Sequence, residues 1–244
     1  MPPDLTPPHR APADAGLPPL SGTVFLLHGL NRTQLSMARL AVGLRRRGLR
    51  VVNRYYHTRT HTLEEHADAF LRRLRAAHGP EHGPFHFVGH SLGCIVVRCA
   101  LFRCAPDALP RSQPGRFVMI APPNQGSELA RVLSGWRFGA TLFGHGAFGQ
   151  LAHPELLAAW GSPPLTFGVI AGGRGDGHGW NPLLPGDDDG VVTVAGTHLA
   201  GEADHLVLPS LHTTLPWRRD TLRHCAHFLA TGRFATIPAD RGRA

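Results

Sequence analysis

Short, nearly continuous apolar runs alternate along this chain with stretches of helical periodicity, and that alternation restricts the fold more than any other feature. The runs at residues 23–27, 49–53, 85–88, 116–121, 165–171 and 205–208 lack the in-out alternation of a strand with one wet face. Each therefore reads as a strand buried on both sides, which is the pattern of a parallel sheet covered by helices. The intervening helices make the same point, because parallel neighbours need crossover connections and hairpin turns cannot join them. The expected fold class is α/β, a mostly parallel central sheet of about six strands with helices on both faces. Between these strands, residues 34–47 read as a helix, and the stretch from Thr62 is the clearest one. Leu63, Ala67, Phe70, Leu71 and Leu74 share one face of it. Thr62 and Glu65 can form a capping box, Arg72, Arg73 and Arg75 suit the negative end of the helix dipole, and Gly79-Pro80 stops it.

Length and composition bound the rest. A chain of 244 residues, 42% of them hydrophobic, can bury one sizeable core and is short for two, so one domain is expected over residues 21–234. The first 20 residues hold seven prolines and no basic start followed by an apolar h-region; they read as a disordered leader on a cytoplasmic protein, with residues 235–244 as a tail. No apolar run approaches the roughly 20 residues needed to cross a bilayer. All 25 basic residues are arginine, which excludes Schiff-base, P-loop and Ser-Lys chemistry. The net charge of +8 is scattered along the chain, as on a solvated basic surface, and no recognition motif accompanies it, so nucleic acid is not expected as a partner. Cys94, Cys99, Cys104 and Cys225 show neither CxxC nor zinc-finger spacing and read as buried free thiols.

A parallel sheet presents ligands beyond the carboxyl ends of its strands, so the residues just past each strand carry the chemistry. After the first run comes His28-Gly29-Leu30, after the third Gly89-His90-Ser91-Leu92-Gly93, and after the last a short loop with His212. The second is a G-x-S-x-G pattern lying directly between a strand and a helix. A turn this tight holds Ser91 in strained backbone geometry and works only if the residues two before and two after it lack side chains, which Gly89 and Gly93 provide. The next helix, residues 92–104, is apolar on most sides, and its positive end stabilises negative charge developing beside Ser91.

With these residues the sequence resembles the α/β-hydrolase superfamily, and more narrowly its bacterial lipase and esterase-like members, over roughly residues 22–234. The HG turn at His28-Gly29, the elbow at residues 89–93, the Asp189-Gly190-Val191-Val192 segment with His212, and residues 121–127 carry the likeness. It implies a cofactor-independent serine hydrolase cleaving carboxylic esters through an acyl-Ser91 intermediate, with a small-molecule or lipid ester as substrate, peripheral lipid contact left open, and no metal site assigned. The superfamily order Ser, acid, His makes His212 the base, since it lies beyond the last strand and before a C-terminal helix, whereas His205 opens the strand and His224 and His227 lie inside the helix. Asp176, Asp187, Asp188 and Asp189 compete as the acid. Asp189 matches the family's Asp-Gly-Val segment, and the two aspartates before it are expected to face water. A calcium site at these aspartates is the alternative, though they lack the spaced oxygen ligands of a calcium loop.

By the same resemblance the oxyanion donors are the backbone N–H groups of Leu30 and Leu92. Gly29, His90 and His28 are assigned to substrate contact, with His28 equally suited to bracing its loop. A cap insertion is expected over residues 135–163, where Trp136, Phe138, Phe143, Phe148 and Trp160 either line an acyl site or pack the cap onto the domain. Residues 172–186 read as a flexible loop with no legible role. The same machinery serves thioesters, amides and acyl transfer. A noncatalytic binding protein on the same scaffold would need no activated serine.

Overall fold

The computed structural model describes residues 19–77, 83–104, 115–134 and 146–236. Six strands form one sheet: β1 (Thr23–Leu27), β2 (Arg50–Asn53), β3 (Phe85–His90), β4 (Arg116–Ile120), β5 (Thr166–Gly173) and β6 (Asp204–Pro209). Their order is β2-β1-β3-β4-β5-β6, and every adjacent pair is parallel. All six expected strands are present, with ends displaced by one or two residues where the apolar run and the hydrogen-bond ladder stop at different places.

The expected helix at residues 34–47 is split. Thr33 caps a 3-10 turn at Gln34–Met37 by accepting from Leu35 N, and α1 (Ala38–Arg45) continues from it. The helix α2 (Leu63–Ala76) begins at the capping box read from the sequence: Glu65 N donates to Thr62 Oγ1 at 3.2 Å and Thr62 N to Glu65 Oε2 at 2.8 Å. The Gly79-Pro80 stop lies outside the described residues. The remaining helices are α3 (Leu92–Arg103), α4 (Glu128–Ser134), α5 (Ala147–Gln150), α6 (Pro154–Ala158), α7 (Val194–Thr197) and α8 (Arg219–Thr231). None of the described helices is long and apolar enough to cross a membrane. Cys94, Cys99 and Cys225 are buried free thiols, and Cys104 is half-buried.

Strand register sorts the apolar residues onto the two faces of the sheet. Phe25 pairs with Phe87, Phe87 with Phe117 and Phe117 with Phe167, so a row of phenylalanines crosses β1, β3, β4 and β5. Phe25 and Phe87 stack with centroids 5.8 Å apart, and Phe87 meets Phe117 edge-on at 6.2 Å. All four rings are buried and pack with α2 and α3 into one core, each ring adding roughly 1.5–3 kcal/mol of burial. On the opposite face Val24, Leu26, Val88, Val118, Ile120 and Ile170 pack against α1 and α8. That face is fitted by a gap at Gly168, where a Cβ would sit 2.3 Å from the Phe228 ring of α8.

His86 faces this second layer and is 4% exposed. Its Nδ1 accepts the Arg116 N–H at 3.0 Å, an arrangement that requires the neutral ring. Burial, helped by the Arg116 charge, pushes its pKa down to about 4; burial, with His61, does the same for His66. The unfolded chain, with histidines near 6.5, then binds more protons than the folded one at pH values between about 4 and 6.5. Stability is therefore full above that window and falls as the pH drops through it. Urea midpoints measured at pH 7 and pH 4.5 are expected to show the fall, with His86 contributing on the order of 1–3 kcal/mol and His86→Gln flattening the profile.

Candidate active site

The turn from β3 into α3 forces the backbone of Ser91 to φ 54° and ψ −123°, a conformation costing about 1–3 kcal/mol in a non-glycine residue. The surroundings show why the turn needs its glycines. A Cβ on Gly89 would lie 2.7 Å from the backbone N and Cα of Cys94, and one on Gly93 would lie 2.3 Å from the carbonyl oxygen of Leu27. Ser91 N is tied to Ile120 O of β4 at 2.8 Å, which anchors the turn to the neighbouring strand. Leu92 opens α3, so its N–H belongs to the first turn, where helix geometry provides no intrahelical acceptor.

Asp189 and His212 lie in separate loops, after β5 and after β6. His212 Nδ1 donates to Asp189 Oδ2 at 2.7 Å, and both side chains are almost fully buried. The other carboxylate oxygen, Oδ1, accepts from Val191 N at 3.0 Å and Val192 N at 2.8 Å, while His212 N donates to Asp189 O at 2.8 Å. The carboxylate is thereby aimed and the imidazole held with its Nδ1 protonated, leaving Nε2 with a free lone pair.

Ser91 and His212 line one cavity of about 410 Å³ together with Gly29, Leu30 and His90. Its remaining wall is largely apolar, with Leu129, Phe148, Leu151, Val191 and Val192, and Arg32 is the one permanently charged side chain among its described residues. Two other clefts, of about 450 and 700 Å³, include none of residues 91, 189 and 212. A mostly apolar wall with a few convergent polar groups is the makeup of a small-molecule site.

His28 and His90 have turned to structural contacts. His28 is fully buried and absent from the cavity wall. Its Nε2 accepts from Tyr56 N at 3.4 Å, its Nδ1 lies 3.0 Å from Gly29 O, and the Tyr56 hydroxyl donates to the His28 carbonyl at 2.6 Å. Of its two sequence readings, the loop brace is the one its contacts match. His90 does border the cavity, but its Nε2 donates to the backbone carbonyl of His212 at 3.0 Å, and the two rings lie 4.8 Å apart. Burial holds His90 far below the usual histidine range, with the neighbouring His212 adding to the effect.

Of the two aspartates preceding Asp189, Asp188 does not face water as expected, while Asp187 is half-buried. Asp188 is fully buried and accepts from Asn181 N at 3.0 Å and Gly190 N at 2.6 Å, while Asp187 accepts from Arg174 N and Gly175 N at 2.7 and 2.8 Å. Both carboxylates accept from loop amides, which tie residues 174–190 together where a flexible loop was expected over residues 172–186. Within the expected cap, Trp136, Phe138 and Phe143 lie outside the described residues. Phe148 both lines the cavity and joins the core, and Trp160 packs into the core.

Sequence reasoning missed Arg98 and Asn124. Arg98, on α3 and 2% exposed, donates through Nη1 to Asn124 Oδ1 at 3.0 Å and through Nη2 to Leu157 O and Gly161 O, each at 3.0 Å. Asn124 Nδ2 donates onward to Thr197 O at 2.7 Å. One cation thus gathers three segments around the cavity; burial lowers its pKa to about 10, still protonated at neutral pH. The only sequence signal was an arginine inside an otherwise apolar helix.

No family model matches the sequence, and no curated protein matches it. Solved structures do. The mature lipase BlEst2 of Bacillus licheniformis matches with a TM-score of 0.64 at 18% identity, over 82% of this chain and 88% of the lipase. The phospholipase PlaB of Legionella pneumophila matches with a TM-score of 0.59 at 19% identity over 79% of this chain, which spans 53% of the phospholipase's length. The type II thioesterase BorB from the borrelidin biosynthetic cluster matches with a TM-score of 0.53 at 17% identity, over 87% of this chain and 93% of the thioesterase. At such identities the likeness is one of fold, and that fold is the α/β-hydrolase fold.

Arg98→Met removes four donated bonds and strands buried carbonyls. It is expected to lower stability by about 2–4 kcal/mol, read as a reduced urea midpoint with an unchanged slope.

Proposed function

On this α/β-hydrolase scaffold we propose a serine hydrolase that cleaves carboxylic esters through an acyl-Ser91 intermediate. One observation carries the reading: a strained serine and an imidazole bonded to a buried, amide-held carboxylate border the same apolar cavity. His212 Nε2 takes the Ser91 proton as Oγ attacks the ester carbonyl, and then delivers it to the leaving alcohol. In the second half it takes a proton from water, whose oxygen attacks the acyl-serine, and returns that proton to Ser91 Oγ as the C–O bond breaks and the acid leaves. Asp189 keeps Nδ1 protonated and stabilises the imidazolium as it forms. The N–H groups of Leu30 and Leu92 receive the oxyanion, each worth about 100- to 1000-fold in rate. No step needs a cofactor.

His90 acts as a positioning residue, because its bond to the His212 carbonyl fixes the loop that presents the base. The apolar wall suits an acyl chain, and with Arg32 and no carboxylate among the described lining residues, neutral or anionic esters fit better than cationic ones. A thioester is the second reading, supported by the thioesterase among the structural neighbours. Matched oxyester and thioester series separate the two.

Ser91→Ala is expected to cut turnover of p-nitrophenyl butyrate by about 10⁴-fold or more, to abolish labelling by a fluorophosphonate probe, and to leave the circular dichroism spectrum unchanged. Undiminished turnover would overturn the assignment. His90→Leu is expected to lower kcat about 10-fold with little change in KM, because the loss falls on the placement of the base. An equal effect of His90→Leu on a substrate-independent measure alone, with kcat intact, would remove His90 from this role.

A further inference from the structure

Away from the cavity, three potential ligand side chains meet in the short segment joining α7 to β6. His198 ends α7, Glu202 lies four residues later, and His205 is the second residue of β6. One potential ligand atom from each lies within 4.8 Å of the other two, the one such group of three among the described residues. The His198 and His205 rings stack with centroids 3.9 Å apart, and His198 Nδ1 lies 2.6 Å from Glu202 Oε1.

The surrounding bonds prepare these groups for a cation. The Thr197 hydroxyl donates to Val194 O at 2.7 Å, so towards His205 Nε2, 3.0 Å away, it can only accept. Nε2 of His205 therefore carries the ring proton, and Nδ1 keeps its lone pair. A hydrogen bond of this kind behind a ligating histidine fixes the tautomer and the ring orientation. The second carboxylate oxygen of Glu202 accepts from Leu199 N at 3.2 Å, which holds that side chain over the turn.

We propose that His198, Glu202 and His205 form a binding site for a zinc ion, with water completing a tetrahedral shell. Two imidazoles and a carboxylate are a borderline donor set that suits Zn²⁺ and disfavours Ca²⁺ and Mg²⁺, which take oxygen ligands. The two rings lie 17° from parallel, so their lone pairs do not converge until one ring turns. His198 is the ring free to do so, since 48% of its side chain is exposed. On binding, the Nδ1 proton of neutral His198 passes through solvent to Nε2, and the ion takes its place between Nδ1 and the Glu202 carboxylate. The bound ion cross-links the end of α7 to the start of the edge strand β6. That brace lies on the segment between residues 189 and 212, and it uses neither of them, so the site does not depend on the proposed hydrolase chemistry.

The test uses the full-length, untagged protein, stripped with a chelator and dialysed against Zn²⁺, with thermal unfolding as a second readout. The expected result is one Zn²⁺ per chain and, at zinc concentrations about 100-fold above Kd, a rise in Tm of roughly 5–10 °C, with no rise in Ca²⁺. Glu202→Gln, His198→Gln and His205→Gln should each weaken zinc binding by about 10-fold or more. His153→Gln, at an exposed His-Glu pair elsewhere, should leave it unchanged. Should His205→Gln fail to fold for want of the Thr197 contact, Glu202→Gln and His198→Gln, on partly exposed groups, decide the matter. Ser91→Ala should bind zinc like the parent, which keeps this result separate from the hydrolase reading. Absence of a saturable stoichiometry near one would overturn the proposal, as would variants at residues 198, 202 and 205 that bind zinc like the parent chain.

Discussion

The site depends first on the close approach of the α3 N-terminus to the ends of β1 and β3. At Gly93 the helix backbone lies so near the Leu27 carbonyl that a single added carbon would sit 2.3 Å from it. A helix seated this tightly leaves one route for the chain between β3 and α3, and that route takes Ser91 through a positive φ. The strain persists because relieving it would move α3, whose residues from Leu92 to Leu101 are almost all buried between the sheet and α2. Packing of an ordinary apolar helix thus holds a serine where no unconstrained peptide would leave it.

Polar groups near the cavity follow a second rule, that buried donors and acceptors are paired, with His90 Nδ1 and Arg98 Nε as exceptions, and the pairing assigns each group its part. Adjacent aspartates are separated in this way. Asp188 spends its oxygens on Asn181 and Gly190 amides, whereas Asp189 keeps one oxygen for Val191 and Val192 and turns the other to His212. Histidines divide likewise: His28 is consumed by Tyr56 and Gly29, His90 gives Nε2 to the His212 carbonyl while its Nδ1 stays buried without a partner, and His212 turns Nδ1 to Asp189. Arg98 extends the rule to the whole rim, since its four acceptors come from the segments at Asn124, Leu157 and Gly161.

Much of this was legible in advance where the determinants are local. The Thr62–Glu65 box, the six strands and the glycine-bounded turn at Ser91 are written in neighbouring residues, and each lies within one or two residues of its expected place. Determinants remote in the chain were not legible. The split of the first helix comes from the Thr33 side chain capturing Leu35 N, a choice that periodicity does not encode. The water-facing expectation for Asp188 failed because a run of charges looks solvated until the loop amides that fold back on it are known. Arg98 was missed because its acceptors lie 26 to 63 residues away.

Sequence alone therefore determined the layered α/β architecture, the location of the tight turn and the residue types gathered at the carboxyl ends of the strands, since these rest on periodicity, steric size and short-range capping. Only the tertiary structure decided the phenylalanine register across β1, β3, β4 and β5, the aspartate that meets His212, and the histidines that became braces. Those outcomes turn on hydrogen bonds and packing between residues far apart in the chain, and such partners acquire a distance only once the chain has folded.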